Sequence, residues 1–296
     1  MSCQYSVGSL ALSGDDIYAA RICDQPFIDY AWNSYGFNYD YWQDGWGWND
    51  CCNVTKPLGR VFTALWLLNY SAEDWQNESW NAPMINWAPR YVREQFQRYD
   101  DLRADCGDGG SNATTSGCQW TRSFYEWKCT QWRREKHREC RTWGVFSFIC
   151  VFFVTILSWF CVLWGWVSTT ACTLWYWTAG GGESVTLHLP YFYTIADPVN
   201  DPRDVLARAG TLVHESRHIG GKPHNSTFPS GSAFGTGDGA DESWSYDGAW
   251  KFHALYCWWF YAAGSRTSIA LKQAAKNRAN FIINNAFHDH PGVAVL

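Results

Sequence analysis

The amino-acid sequence predicts a mainly helical α+β protein built from three regions. Residues 1–117 form an irregular region rich in aromatic residues, residues 118–182 a long apolar helix with a Cys/Trp repeat, and residues 183–296 a C-terminal domain. Three observations support this division. Cysteines recur about every eleven residues in the second region. Apolar residues recur at helical spacing over 205–213, and residues 184–193 alternate as in a strand.

Length and composition narrow the classes of function. The chain has 296 residues, enough for two domains or one large domain. It contains 21 Trp, 16 Tyr and 17 Phe, and its net charge is −5. Because there is no basic excess, we expect no nucleic-acid partner. The aromatic excess is typical of unusual burial, a membrane interface or a partner surface.

The first region is expected to consist mostly of loops. Residues 34–49 interleave Tyr and Trp with Gly, Asn and Asp, which favours loops and short strands. Residues 61–68 predict a short buried helix or strand, and residues 91–102 an amphipathic helix. Twelve cysteines in the whole chain indicate an oxidising location with some disulfides, for instance within the first 106 positions.

The second region carries the repeat. From Cys118 to Cys172, six cysteines follow one another at intervals of 11, 11, 10, 11 and 11 residues, and an aromatic residue stands three places after five of them. Eleven residues are nearly three helical turns, so the repeat predicts one stripe along a continuous helix over 118–178. The alternative is a break at the shorter interval, between Cys140 and Cys150.

Residues 142–182 contain no charged residue, and residues 144–166 are long and apolar enough to span a bilayer. We therefore expect the apolar part, about 143–178, to span or insert into a membrane. The basic cluster before it predicts a cytoplasmic 1–141 and an extracytoplasmic 183–296.

Other arrangements of this apolar stretch stay open. It would also suit a buried hairpin within a soluble domain, or a homo-oligomer formed through 118–178. The N-terminus lacks the basic start and apolar run of a signal peptide, so secretion would follow a signal-peptide-independent route.

The C-terminal domain contains the stretch TLVHESRHIGGKPHN, which begins at Thr211. His214 and His218 are four residues apart, lie on one helical face and can hold one zinc ion. Glu215 can take a proton from a zinc-bound water. Gly221 and His224 extend the pattern to H-E-x-x-H-x-x-G-x-x-H.

This spacing resembles that of the metzincins among the zincin metallopeptidases. The resemblance implies a zincin-like domain with Zn²⁺ held by His214, His218 and His224, and with Glu215 as general base. It also implies hydrolysis of peptide bonds in a peptide or protein substrate. The methionine turn of that family has no counterpart, because the only methionines are Met1 and Met84.

A second resemblance covers residues 200–262. They are similar to small bacterial proteins that carry a V-H-E-A-R-H stretch, then a P-H pair, then an acidic segment followed by Gly-Ala and an aromatic residue. The matching residues here are 213–218, 223–224 and 247–250.

Residues 241–263 predict a helix with Glu242, Tyr246 and His253 on one face. Some zincins take a glutamate from a downstream helix as third ligand. Glu242 is therefore the alternative to His224 as third ligand, and Asp241 and Asp247 are the next candidates. Tyr246 either donates to an oxyanion or packs, and His253 belongs to the core or supports a ligand.

The alternative function is a structural, assembly or membrane-inserting protein, such as a toxin or effector, whose zinc site only stabilises the fold. A fourth ligand from Asp241 or Glu242 would favour that alternative, because structural zinc sites are closed by four protein ligands.

Overall fold

A computed structural model describes residues 25–42, 57–70, 84–105, 113–116, 129, 132–133, 136–137, 139–140, 147–179, 183–188, 191–192, 205–264 and 267–296. Within these residues the protein is mainly helical, with seven α-helices and a small sheet. The predicted class, α+β and mainly helical, is confirmed at this level.

The helices are α1 (Gln25–Ser34), α2 (Pro57–Tyr70), α3 (Met84–Tyr99), α4 (Ser147–Ala179), α5 (Val205–Ile219), α6 (Ala249–Ala263) and α7 (Ile269–Asn285). The strands are β1 (Leu102–Ala104), β2 (Ala113–Ser116), β3 (Ser184–Leu187), β4 (Ser226–Thr227) and β5 (Asp238–Ala240). Short 3-10 helices lie at Tyr39–Tyr41 and Trp244–Tyr246.

Helix α5, which carries the H-E-x-x-H pattern, lies at the centre of the fold. Every residue of it except Arg217 is buried. It packs against α2, α3, α6 and β2, so its neighbours cover it on several sides rather than along one stripe. Gly221 follows its end with φ +82, a left-handed conformation that glycine adopts readily. The predicted helix stop is confirmed.

The three-stranded sheet links distant parts of the chain. Its order is β1-β3-β2, with β1 parallel and β2 antiparallel to β3. Thr186 of β3 therefore pairs with Arg103 on one side and with Thr114 on the other. Because β2 also packs on α5, this small sheet brings residues near position 115 beside the histidine motif.

Described residues between 27 and 113 and between 185 and 295 belong to one hydrophobic core. Helices α2 and α3 pack on α5, and aromatic side chains such as Phe62, Phe192 and Phe252 belong to the same buried cluster. The expected irregular N-terminal region is wrong for its described part, because 25–34, 57–70 and 84–99 are helical. The segments expected at 61–68, as helix or strand, and at 91–102, as helix, lie within or overlap the last two of these helices. Helices α2 and α3 are stabilised by packing against α5, and α1 packs against α2.

The repeat region forms a hairpin, not one continuous helix. Disulfides join Cys129 to Cys161 and Cys140 to Cys150, with Cα–Cα distances of 5.8 and 5.4 Å. Such pairing requires the chain to reverse direction between Cys140 and Cys150. The continuous helix over 118–178 is therefore wrong, and the break lies at the shorter interval. The disulfides expected within the first 106 positions lie outside the described residues.

Helix α4 is the described helix that is long and apolar enough to cross a membrane. The stretch that meets these criteria, Ser147–Trp164, contains no charged residue, and only 11% of it is buried. The interpretation of this stretch as the core of a soluble domain does not fit such exposure, because a core helix is mostly covered.

Candidate metal centre

Three histidine rings meet at the C-terminal end of α5. His214 and His218 lie one helical turn apart, with ring centroids 4.8 Å from each other. After the turn at Gly221 the chain brings His224 back, and its ring centroid lies 5.0 Å from that of His214 and 4.6 Å from that of His218. The spacing predicted this convergence, and the structure shows it.

The distances suit a single metal ion. One nitrogen from each of the three histidines lies within 4.8 Å of the others. The Nε2 atoms of His214 and His224 are 3.2 Å apart. Two nitrogens bound about 2.0–2.1 Å from a tetrahedral zinc ion would be about 3.3–3.4 Å apart. The observed separation is therefore close to one edge of a zinc coordination tetrahedron.

Two of the rings are oriented through their other nitrogen. Nδ1 of His218 lies 2.8 Å from the Lys222 carbonyl oxygen, and Nδ1 of His224 lies 3.0 Å from Oδ1 of Asp241. A ring that donates from Nδ1 keeps the lone pair of Nε2 for a metal. In both rings, Nε2 is therefore the nitrogen that could bind a metal ion.

Burial keeps His214 and His218 in the protonation state that binds metal ions. It lowers the pKa of His214 well below its ordinary value, and the neighbouring His218 and His224 lower it further. Burial also lowers the pKa of His218 to about 3. Neutral imidazole is the form that binds metal ions, so His214 and His218 can hold one without first losing protons at neutral pH.

Glu215 lies between the first two histidines in sequence, and β2 holds its carboxyl group. Its side chain is buried, and Oε2 accepts a hydrogen bond of 2.8 Å from Thr115 Oγ1. Burial raises the pKa of Glu215 to about 7, although the Thr115 hydrogen bond and the nearby His224 act in the opposite direction. A carboxyl group with such a pKa can both accept and release a proton near neutral pH.

Asp241 supports His224 and does not replace it. Its carboxylate is fully buried, with Oδ1 against His224 Nδ1 and Oδ2 accepting from the backbone N–H of Trp250 at 3.1 Å. Both oxygens are therefore occupied by nitrogen atoms of the protein. The same aspartate is anchored through its backbone N–H to the carbonyl of Ala286.

The other two rivals also lie outside the three-histidine group. Asp247 forms an ion pair with Lys251. The backbone N–H of Glu242 donates to Oδ1 of Asn225. Within the described part of the chain, the group with metal-binding spacing contains His224 as its third member and no carboxylate.

The expected helix over 241–263 is wrong in its first half, since α6 begins at Ala249. Asp247 has a left-handed backbone with φ 57, and residues 244–246 form a 3-10 turn, which separates them from α6. Tyr246 therefore does not share a helical face with His253. Its hydroxyl donates to the Pro223 carbonyl at 2.7 Å, which supports the backbone beside His224.

His253 is a core residue beneath α5. It is 1% exposed, and burial lowers its pKa to about 3. Arg278 Nε donates to its Nε2 at 3.4 Å, and a Cβ atom at Gly210 would lie 2.2 Å from the same nitrogen. His253 therefore packs behind His214 rather than joining the ligand group.

Sequence reasoning missed Thr115 and Trp250. The Trp250 ring lies 4.4 Å from that of His214 and stacks on His224 at 5.7 Å, so it forms one wall of the site. Thr115 is one hundred residues from Glu215, and no local sequence pattern indicates their contact, because it depends on the packing of β2 against α5. Compared with protein-family models, curated proteins and solved structures, the chain has no match.

Proposed function

We propose that this protein is a zinc-dependent metallopeptidase of the zincin type, with His214, His218 and His224 as ligands and Glu215 as general base. The observation that carries the proposal is the convergence of three imidazoles at the spacing of one tetrahedral ion, two of them oriented through Nδ1, directly beside a buried glutamate. The resemblance of the spacing to the metzincin pattern adds to this geometry.

Zinc is the metal that this donor set favours. Three neutral imidazoles are typical zinc ligands, and catalytic zinc sites pair three protein ligands with one open position. The buried Asp241 carboxylate that orients His224 is a common companion of zinc-binding histidine. A closed structural site would instead use a fourth protein ligand, and the described residues supply none within the group.

The residues around the site would divide the work of hydrolysis. A bound zinc ion would supply Lewis acidity toward the scissile carbonyl and would lower the pKa of water. Glu215 would take a proton from the attacking water and pass it to the leaving amine. Because Thr115 engages Oε2, Oε1 is the oxygen that remains for this transfer.

The first test compares two glutamine variants. Glu215→Gln should keep about one zinc ion per chain and lose peptide hydrolysis by about 10²–10⁴-fold, because it removes the proton acceptor but no ligand. Glu242→Gln is the matched control, since this nearby carboxylate lies outside the ligand group. Zinc content by elemental analysis and cleavage of an unfolded protein substrate would both be measured.

The outcomes separate the alternatives. Full activity in Glu215→Gln would refute the assigned mechanism. Zinc binding without hydrolysis in the wild-type protein, together with unfolding on chelation, would favour the alternative of a structural zinc site in an assembly or membrane-inserting protein. Loss of zinc in His224→Ala would support His224 as the third ligand.

We also propose that α4 associates the protein with a lipid membrane. The exposure of its uncharged stretch, Ser147–Trp164, supports this proposal. Disulfides at Cys129–Cys161 and Cys140–Cys150 agree with an oxidising compartment and therefore with an extracytoplasmic or secreted C-terminal domain. The alternative is that a homo-oligomer formed through 118–178 covers the helix. Binding to lipid vesicles would favour membrane association, and self-association in solution would favour the homo-oligomer.

A further inference from the structure

The disulfide-linked hairpin, which comprises residues 129–140 and the part of α4 up to Cys161, has two unlike sides. The two disulfides keep one register, because Cys129 precedes Cys140 by 11 residues and Cys150 precedes Cys161 by 11 residues. His137 Nε2 lies 3.2 Å from Thr155 Oγ1, between the two disulfides. The described residues between 129 and 140 therefore run antiparallel alongside α4.

One stripe of α4 is covered and the remainder is not. Val154 and Ser158 are 8% and 4% exposed, and they lie at helical spacing between Cys150 and Cys161. This is the stripe that faces residues 129–140. The rest of the surface is apolar and exposed: Phe148 71%, Phe152 62%, Phe153 59%, Trp159 66%, Phe160 57% and Trp164 63%.

The covering segment is charged. Arg133, Lys136 and Glu139 lie between the positions of the two disulfides, and Lys136 pairs with Glu139 at 2.7 Å. Because the pairing is antiparallel, these residues lie level with 150–161, the middle of the apolar stretch. If Ser147–Trp164 spanned a bilayer in this state, the charges would sit at the depth of the hydrocarbon core, where they are strongly unfavourable.

A flat placement avoids this cost. A helix whose apolar side enters the lipid while its basic side stays near the headgroups lies in the plane of the membrane. Residues 133–141 contain five basic residues and two acidic ones, so the segment complements an anionic surface. The side chains that would enter the lipid are the exposed aromatic residues. Between Phe148 and Trp164 the only polar residues are Thr155 and Ser158.

We propose that the disulfide-linked hairpin lies flat in the interface of an anionic lipid bilayer, and that α4 spans the bilayer only after both disulfides are reduced. This inference rests on the proposed membrane association and is independent of the metal centre. The expected topology places 1–141 and 183–296 on opposite sides of the membrane. In the proposed one, they lie on the same side while the disulfides are formed and on opposite sides after reduction.

The release requires a dithiol reductant. For each disulfide, one thiolate of the reductant attacks a cysteine sulfur and forms a mixed disulfide, and its second thiol then displaces the other sulfur. Two electrons pass to the protein, two cysteine thiols form, and the reductant leaves as a cyclic disulfide. Residues 129–140 are then no longer held beside α4.

Binding is tested with the full chain, without reductant, on vesicles of phosphatidylcholine with or without phosphatidylserine. We expect co-sedimentation with the phosphatidylserine vesicles and at least about tenfold weaker binding to the neutral ones. The double variant Phe153→Asp/Trp159→Asp should weaken binding by at least about tenfold, because two lipid-facing aromatics are lost. Ile269→Asp, at an 89% exposed position on α7, is the matched control and should bind as the wild type does.

Placement is tested by external protease on vesicle-bound protein. In the disulfide-linked wild type, the protease should cleave both residues 129–141 and the C-terminal domain. The variant Cys129→Ser/Cys140→Ser lacks both disulfides, so without reductant one of these two parts should be protected from the protease. Protection in the disulfide-linked wild type, or accessibility of both parts in the cysteine variant, would overturn the inference while membrane association stands. Equal binding to both vesicle types would overturn the anionic-surface part, and no binding would overturn both proposals. Zinc content and peptide hydrolysis of the variants report separately on the metal centre.

Discussion

Replacing Asp241 by Asn tests whether the second layer of the site is what holds His224 in place. The wild-type carboxylate is fully buried and accepts two hydrogen bonds, from His224 Nδ1 at 3.0 Å and from the Trp250 backbone N–H at 3.1 Å. An amide has one oxygen and one NH₂ group. With a metal ion on Nε2 of His224, Nδ1 would carry the proton, so one of the two nitrogen donors must face another donor in Asp241→Asn, whichever way the amide is turned.

The expected magnitude follows from these contacts. Loss of the carboxylate that orients a metal-binding histidine lowers metal affinity by about 10–100-fold, or about 1.4–2.7 kcal/mol. The metal-free protein avoids the mismatch, because His224 can carry its proton on Nε2 and accept at Nδ1 from the amide NH₂ group. Its free energy of unfolding should therefore fall by less than about 1 kcal/mol in Asp241→Asn, so the loss should appear in zinc affinity and not in the stability of the metal-free protein.

The assay is a zinc titration against a competing chelator, with urea unfolding in excess chelator as a separate measure of stability. Asp247→Asn is the matched control. Its side chain pairs with Lys251 outside the ligand group, and asparagine tolerates the left-handed backbone at this position. The control should change zinc affinity by less than about twofold, because no ligand contact is lost. If Asp241→Asn bound zinc as tightly as the wild type while remaining folded, the assigned role of Asp241 would be refuted.

Three further predictions concern the residues around the ligand group. Gly210→Ala should lower the free energy of unfolding by about 1–3 kcal/mol, because the new methyl group would lie 2.2 Å from His253 Nε2. In a His253→Ala background most of that loss should vanish in urea unfolding, and an equal loss in both backgrounds would contradict the clash. Burial gives His253 a pKa of about 3 in the folded protein, against about 6.5 in the unfolded chain. Between these two pH values the unfolded chain binds one more proton than the folded protein, so the free energy of unfolding falls as the pH falls from 6.5 to 3. With chelator present, His253→Gln should reduce this slope by about 1.4 kcal/mol per pH unit near the middle of the window, and an unchanged slope would show that His253 does not titrate in this way. Tyr246→Phe should lower peptide hydrolysis by less than about tenfold, because its hydroxyl is engaged by Pro223, whereas a loss of about 10²-fold or more would assign it to the oxyanion.

The three-histidine group could be predicted because local geometry determines most of it. Residues four apart on a helix meet on one face, and a glycine that accepts a positive φ turns the chain after the helix, so His214, His218 and Gly221 behave as their spacing indicates. The choice between His224 and the nearby acidic residues was not a local matter. It depends on where α6 begins and on the backbone at Asp247, and these follow from packing.

The apolar repeat shows where periodicity fails. Eleven-residue spacing indicates a stripe along a helix but says nothing about which partner covers that stripe. In the structure the first part of the repeat folds back on α4, and Cys129 and Cys140 bond to Cys161 and Cys150. Because the chain reverses at the one shorter interval, Cys140 meets Cys150 and Cys129 meets Cys161. A continuous helix would have kept the two cysteines of each pair apart.

The sequence by itself determined the mainly helical class, the buried motif helix with its glycine stop, and the identity of three histidines that can share a metal ion. These features depend on neighbours within about one or two helical turns. Of the strand expected over 184–193, the structure has only residues 184–187 as a strand. Only the tertiary structure decided that Thr115 holds Glu215, that Asp241 supports His224, and that the N-terminal helices complete the same core as α5. The first two contacts join residues 100 and 17 positions apart, and they form because a polar group buried beside α5 requires a hydrogen-bond partner from whichever segment packs there.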